Sequence, residues 1–249
     1  MKKSLLMLAI VTLCAIAFVA CSKDEDTISV NATSVELYAY DTHFITTNAS
    51  NVSFSSENPY IATVNSTTGE VTAMTIGKTV INVTSDQGKA RVMVNVKAKY
   101  NTYEEPCTDF SKTKNQIISM YGAPDTSTDS GIMYVHNKTK HYADMYLFNN
   151  NNAMSSSAAI IPQAYAVEAM NFLLERYLPL GAEDGTYIFV NGASLETITM
   201  GVAMSKMSGY TLYSITYLPY TSSTRSIASA IDNIKIDETI LEKFAEYKE

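Results

Sequence analysis

The chain has 249 residues, of which 46% are apolar and 17% charged, and its formal net charge is −7. The acidic balance argues against a nucleic-acid partner and against attraction to anionic lipid. The three cysteines are too few for a disulfide scaffold. In chain order, Lys2 and Lys3 come first, then an apolar run from Leu5 to Ala20, closed by Phe18-Val19-Ala20-Cys21. A basic start, a short apolar core and a small residue at the cut predict a secretory signal over 1–20, shorter than the ~20 residues of a membrane helix. With that segment removed, 16 basic residues face 25 acidic ones. Cys107 then remains as the free thiol, so no intramolecular disulfide is expected.

Ending the apolar run on Cys21 resembles a bacterial lipoprotein box. The resemblance implies a product that starts at a lipidated Cys21, followed by an acidic tether over 21–27. Each buried methylene of such acyl chains is worth about 0.8 kcal/mol, so several chains anchor where one does not. Lys23, Asp24, Glu25 and Asp26 resemble the lipoprotein export signal of Bacteroidota, which implies display on the outer face of the outer membrane. Asp26-Thr27-Ile28 is similar to the O-glycosylation pattern of that phylum, with Thr27 as acceptor. No later segment approaches the length of a membrane helix.

Residues 28–98 read as short strands separated by turns. Val35 to Tyr40 alternates, Glu57-Asn58-Pro59 and Thr68-Gly69 turn the chain, and Val92, Val94 and Val96 fall on one face of a closing strand. Many short strands without a helical period predict an all-β sandwich. Phe54-Ser55-Ser56-Glu57-Asn58-Pro59, Ile61-Ala62-Thr63-Val64, Thr68-Gly69-Glu70-Val71-Thr72-Ala73 and Ile76-Gly77-Lys78-Thr79-Val80-Ile81-Asn82-Val83 resemble the bacterial Ig-like domain, group 2. Phe54 stands where that family usually has tryptophan. The resemblance implies an Ig-like sandwich that serves as an adhesive module or as a spacer; a single copy beside a lipid tether favours the spacer.

Residues 99–249 predict an α+β domain, with helices packed on an antiparallel sheet, after a polar linker from Lys97 to Glu105. Asp109 or Ser111 caps a helix reaching about Tyr121, and Gly122-Ala123-Pro124 stops it. Strands at 131–136 and 141–149 flank the turn Asn137-Lys138-Thr139-Lys140, and 154–161 adds a third. Tyr165 to Leu178 reads as the strongest helix, with Val167, Met170, Leu173, Leu174 and Leu178 on one stripe. Strands at 186–190, 195–202 and 210–218 follow, so a helix–hairpin–strand order occurs twice. This layout resembles the β-lactamase-inhibitor protein and its small lipoprotein relatives, with Lys114-Asn115-Gln116-Ile117 to Gly122-Ala123-Pro124 as the local match. The stretch 231–247 reads as a strand or turn and a helix burying Ile240, Leu241 and Phe244.

A four-residue turn pairs His136 with His141 and Met133 with Asp144. One hairpin face then carries Ile132, Tyr134, Ala143, Met145 and Leu147 against the helices. The other carries Tyr142, Asp144, Tyr146 and Phe148, an aromatic surface suited to a partner. His136 and His141 meet across the hairpin, but with Asp144 on the opposite face they fall short of a metal site. Cys107, beside Pro106, reads as a buried inert thiol, and no catalytic constellation is evident. The sequence therefore points to a non-enzymatic, cofactor-free outer-membrane lipoprotein facing the cell exterior. Its Ig-like spacer presents an α+β domain to a protein or glycan partner. The alternative is a periplasm-facing lipoprotein that assists envelope assembly or inhibits an enzyme.

Overall fold

The structure, a computed structural model, describes residues 27–220, 236 and 238–248. The signal segment, Cys21, Lys23, Asp24, Glu25 and Asp26 lie outside the described residues, as does 221–235. Thr27 is described; it is exposed and forms an isolated parallel bridge with Lys89.

The chain opens with seven strands: β1 (Ser34–Tyr38), β2 (Thr42–Phe44), β3 (Ser53–Ser56), β4 (Ala62–Val64), β5 (Glu70–Ala73), β6 (Gly77–Ser85) and β7 (Gly88–Lys97). They form one sheet in the order β1-β7-β6-β3 and a second in the order β2-β5-β4. Strand alternation sends Val92, Val94 and Val96 into the core between them, with Phe54, Val71, Ala73, Ile81 and Val83. Gly69 makes the tight turn into β5 at φ +72°; a Cβ there would stand 2.6 Å from the Ile45 carbonyl oxygen and 2.8 Å from the Phe54 ring.

The rest is also mostly β. After α1 (Lys114–Tyr121) come β8 (Thr126–Ser127), β9 (Gly131–Lys138), β10 (His141–Phe148) and β11 (Met154–Pro162). After α2 (Ala166–Leu174) come β12 (Leu178–Glu183), β13 (Thr186–Val190), β14 (Met200–Lys206) and β15 (Leu212–Pro219). The order of one helix and four strands thus occurs twice. All eight strands join in one antiparallel sheet, β12-β13-β14-β15-β11-β10-β9-β8, so the last strands of the two units are neighbours. Among the described residues the helices are short and few against this sheet. One sheet face packs on α1, α2 and the segment around Tyr103. The other packs on a helical turn, Glu238–Leu241, and the 3-10 turns Glu242–Tyr247, through Ile240 and Phe244; Leu241 is only half-buried.

Several local expectations shift. Thr113 rather than Asp109 or Ser111 caps α1, in a capping box with Gln116. Helix α2 ends at Leu174, and its buried positions are Ala169, Phe172 and Leu173, while Val167 is 77% exposed. The Pro179–Gly185 breaker instead forms edge strand β12 and its turn. The proline is tolerated at a register shift on this edge. Leu195 lies outside β14 in an exposed loop.

Lys97–Glu105 is not a free linker. The C-terminal end of a helix leaves carbonyl groups without intrahelical partners. At the end of α2, the β1–β2 loop, the β3–β4 loop and the residue ahead of β6 supply those partners. Tyr40 Oη donates to the Leu174 carbonyl at 3.0 Å, the Ile76 amide to the Glu175 carbonyl at 2.7 Å, and Tyr60 Oη to the Arg176 carbonyl at 2.6 Å. The buried Glu175 carboxylate accepts from the amides of Lys99 at 2.8 Å and Tyr100 at 3.0 Å, and pairs with Arg176 at 2.5 Å. Arg176 also donates to the Phe172 and Tyr100 carbonyls and lies 3.5 Å over the Phe172 ring. The sandwich is docked on the end of a helix of the second unit.

Candidate functional site

The predicted recognition face is packed. Tyr142, Tyr146 and Phe148 are buried, and Asp144 keeps 14% of its side chain exposed. Tyr142 packs on Phe244 and Tyr247 and donates to the Lys243 carbonyl at 2.7 Å. Tyr146 stacks on Tyr121 and meets Tyr134 edge-on, while its hydroxyl accepts from the Cys107 amide at 3.3 Å. Phe148 joins Ile117, Ile132 and Met154 under α1. Tyrosines that alternate on a strand supply contact area equally well to a core. These four residues therefore form no open aromatic surface. In the second unit Tyr187 is exposed but Phe189 is buried. Cys107 is half-buried rather than buried.

Both faces of the sheet are covered, and the register differs as well, since the turn is Thr139-Lys140 rather than the expected four residues. His141 lies opposite Lys138, but Ala143 lies opposite Val135, so His136 and Asn137 together face Tyr142. This bulge shifts every later pair by one residue: Asp144 faces Tyr134, and Met145, not Asp144, faces Met133. Ile132 and Tyr134 consequently share a face with Asp144 and Tyr146, while Met133, Ala143 and Met145 point the other way.

The bulge brings together what the simple register separates. His136 Nε2 lies 3.0 Å from Asp144 Oδ2, and His141 Nε2 lies 2.8 Å from Asp144 Oδ1. One carboxylate thus spans two imidazoles whose ring centres are 4.5 Å apart. His141 is 1% exposed, and its Nδ1 is buried without a hydrogen-bond partner. Burial pushes the Asp144 carboxyl up, but hydrogen bonds from His136 and His141 and their charge outweigh it, leaving the group below the ordinary aspartate range. The flanking lysines are engaged elsewhere: Lys140 pairs with Glu168 at 2.7 Å and Lys138 with Glu104 at 3.2 Å.

Tyr103 closes the inner side of this cluster, with its ring edge-on to His141 at 5.6 Å. It also begins a buried hydroxyl chain. Tyr217 donates to Glu105 Oε1 at 3.0 Å, so its single proton is committed and Tyr103 donates to Tyr217 at 2.7 Å. Tyr177 donates to the same Glu105 oxygen at 2.6 Å. Burial first, and the nearby Glu105 charge with it, pushes Tyr177 and Tyr217 far above the ordinary tyrosine range. Tyr103 is also pushed far up, by burial first. The segment expected to be a polar linker is therefore the strap that seals the candidate site. The sequence around Glu105 gave little hint of it, because its partners Tyr177 and Tyr217 lie 72 and 112 residues away.

With this geometry in place, comparison with known proteins defines the N-terminal unit. Residues 17–96 match the bacterial Ig-like domain (group 2) family, so the sandwich is an Ig-like domain. No curated protein matches the chain significantly. Among solved structures, the chain is similar to domains 5-6 of the S-layer protein SbsC, at 14% identity and a TM-score of 0.25, covering 80% of this chain and 86% of that one. A longer piece, domains 4-9 of the same surface layer protein, gives 15% identity and a TM-score of 0.24, with 80% of this chain covered and 28% of that one. Those scores are too low to transfer an arrangement or a role. Among the described residues, no helix is long and apolar enough to cross a membrane.

Proposed function

We propose that the protein is a non-enzymatic lipoprotein of the outer membrane, anchored through Cys21 and facing the cell exterior. Its Ig-like domain is a stiff stand for the eight-stranded sheet, which meets a protein or glycan partner. The observation that supports the stand is the capping of α2: Tyr40, Tyr60 and Ile76 complete the end of a helix that belongs to the second unit. A spacer that hydrogen-bonds its cargo transmits a fixed orientation, which a flexible string of modules does not. Packing removes Tyr142, Tyr146 and Phe148 as contact residues. The exposed β12–β13 hairpin, with Leu180 at 62% and Tyr187 at 45% exposure, is the surface we assign to the partner. Thr27, which we take as the O-glycosylation acceptor, is exposed.

The test is protease shaving of intact cells that express the full chain, read by immunoblot. Loss of the full-length band while a periplasmic marker survives supports outward display. Survival of the intact chain until the outer membrane is permeabilised overturns it in favour of a periplasm-facing protein.

A further inference from the structure

We propose that His136, His141 and Asp144 bind a divalent first-row transition-metal ion at the turn end of the β9–β10 hairpin. Two imidazoles and one carboxylate are the donor set that zinc, iron and nickel sites share. The chain has three histidines, and the bulge in β9 brings two of them to one carboxylate. The donor atoms of the three residues lie within 4.8 Å of one another. Donors held about 2.0–2.1 Å from a common ion in tetrahedral geometry stand about 3.4 Å apart, so a contraction of up to about 1.4 Å is required. His136, whose side chain is 26% exposed against 2% for His141, is the member free to supply it.

Two further features favour an ion. Burial of His141 and Asp144 has already removed most of the water that an exposed acidic cluster would keep. Lys138 and Lys140 are neutralised by Glu104 and Glu168, so Asp144 sets the charge that an incoming cation meets. Three protein donors leave a coordination position open to water or to a donor from a partner, unlike a closed four-donor structural site. The site lies under Tyr103, so the ion would fix the bulged hairpin beneath the strap that leads from the Ig-like domain.

The experiment uses the full chain, purified in detergent, stripped with EDTA and titrated with zinc alone by calorimetry. Thermal melts and the visible spectrum of the cobalt(II) form are recorded in parallel. Expected are one zinc per chain, a raised Tm with zinc and a cobalt d–d band. His136→Ala and Asp144→Asn should each weaken zinc binding at least 100-fold, while His43→Ala, which changes a histidine of the Ig-like domain, leaves it intact. His136 is the more exposed histidine, so His136→Ala keeps the test decisive if Asp144→Asn does not fold. Zinc binding unchanged in His136→Ala, or no zinc-dependent heat and no Tm shift in the parent chain, overturns the proposal. In either case the cluster is a hydrogen-bonded clasp only.

Discussion

Replacing Glu175 with alanine perturbs the junction at its most buried polar point. The carboxylate, 5% exposed, holds the Lys99 and Tyr100 amides and pairs with Arg176. Removing one member of a buried ion pair costs about 3–5 kcal/mol, because the partner charge is left uncompensated. Arg176 is 12% exposed and keeps bonds to the Phe172 and Tyr100 carbonyls, which places the cost near the lower bound. Two amides lose a charged acceptor, and a hydrogen bond to a charged group is worth about 1.5–3 kcal/mol. These contributions overlap, so about 3–4 kcal/mol is expected in total, a large share of the 5–15 kcal/mol typical of a domain. The assay is differential scanning calorimetry beside limited proteolysis at Lys97 and Lys99. The parent chain should unfold its two units in one cooperative transition and resist cleavage there. Glu175→Ala should split the transition in two and expose both lysines, and Glu175→Gln, which retains an acceptor, should do so less. A loss below about 1 kcal/mol with a single unsplit transition would refute the reasoning, since an exposed ion pair is worth that little.

Other outcomes follow from the same contacts. Tyr60→Phe removes the donor to the Arg176 carbonyl and should cost about 1 kcal/mol in chemical denaturation; Tyr40→Phe, at a more exposed contact, should cost less. Gly69→Ala combines a left-handed φ with contacts under 3 Å to Ile45 and Phe54. It should destabilise the Ig-like domain by about 2–4 kcal/mol, measured by circular dichroism in urea. Tyr146→Ala, at a site 1% exposed, should cost about 3–5 kcal/mol of thermal stability; an unchanged melt would restore it as a surface residue. Alkaline pH should unfold the chain. Burial raises Tyr60, Tyr103, Tyr177 and Tyr217 above their unfolded value of 10.0, so above that pH the unfolded state holds fewer protons than the native one. Their contribution is complete below pH 10 and falls by about 1.4 kcal/mol per tyrosine per pH unit above it. The last part of the rise in tyrosinate absorbance should therefore come together with loss of circular dichroism; complete titration of all tyrosines in folded protein would contradict this.

The sandwich was legible because its signal is local. Val92, Val94 and Val96 alternate in sequence and are all buried in the structure. The second unit was legible only in outline. Strand β12 contains Pro179 and Gly181, which read as breakers, and only pairing with β13 makes it a strand. The hairpin faces were inverted by one extra residue in β9, a bulge that alternation cannot show. That residue turns Ile132 and Tyr134 to the side of Asp144 and Tyr146 and brings His136 to Asp144; Tyr142 and Tyr146 are buried because both faces of the sheet are covered. The junction was invisible for a different reason. Tyr40 and Tyr60 meet their carbonyl partners 134 and 116 residues away, and nothing in a loop tyrosine's surroundings in sequence announces such a partner.

With α2 capped by the sandwich, the Ig-like domain and the eight-stranded sheet are expected to move as one body. Spin labels at Asp86→Cys, on the β6–β7 turn, and Glu183→Cys, on the β12–β13 hairpin, in a Cys107→Ser background, measure it directly by pulsed dipolar spectroscopy. A single narrow distance distribution that broadens in Glu175→Ala is expected. A broad distribution in the parent chain, unchanged by Glu175→Ala, would contradict it.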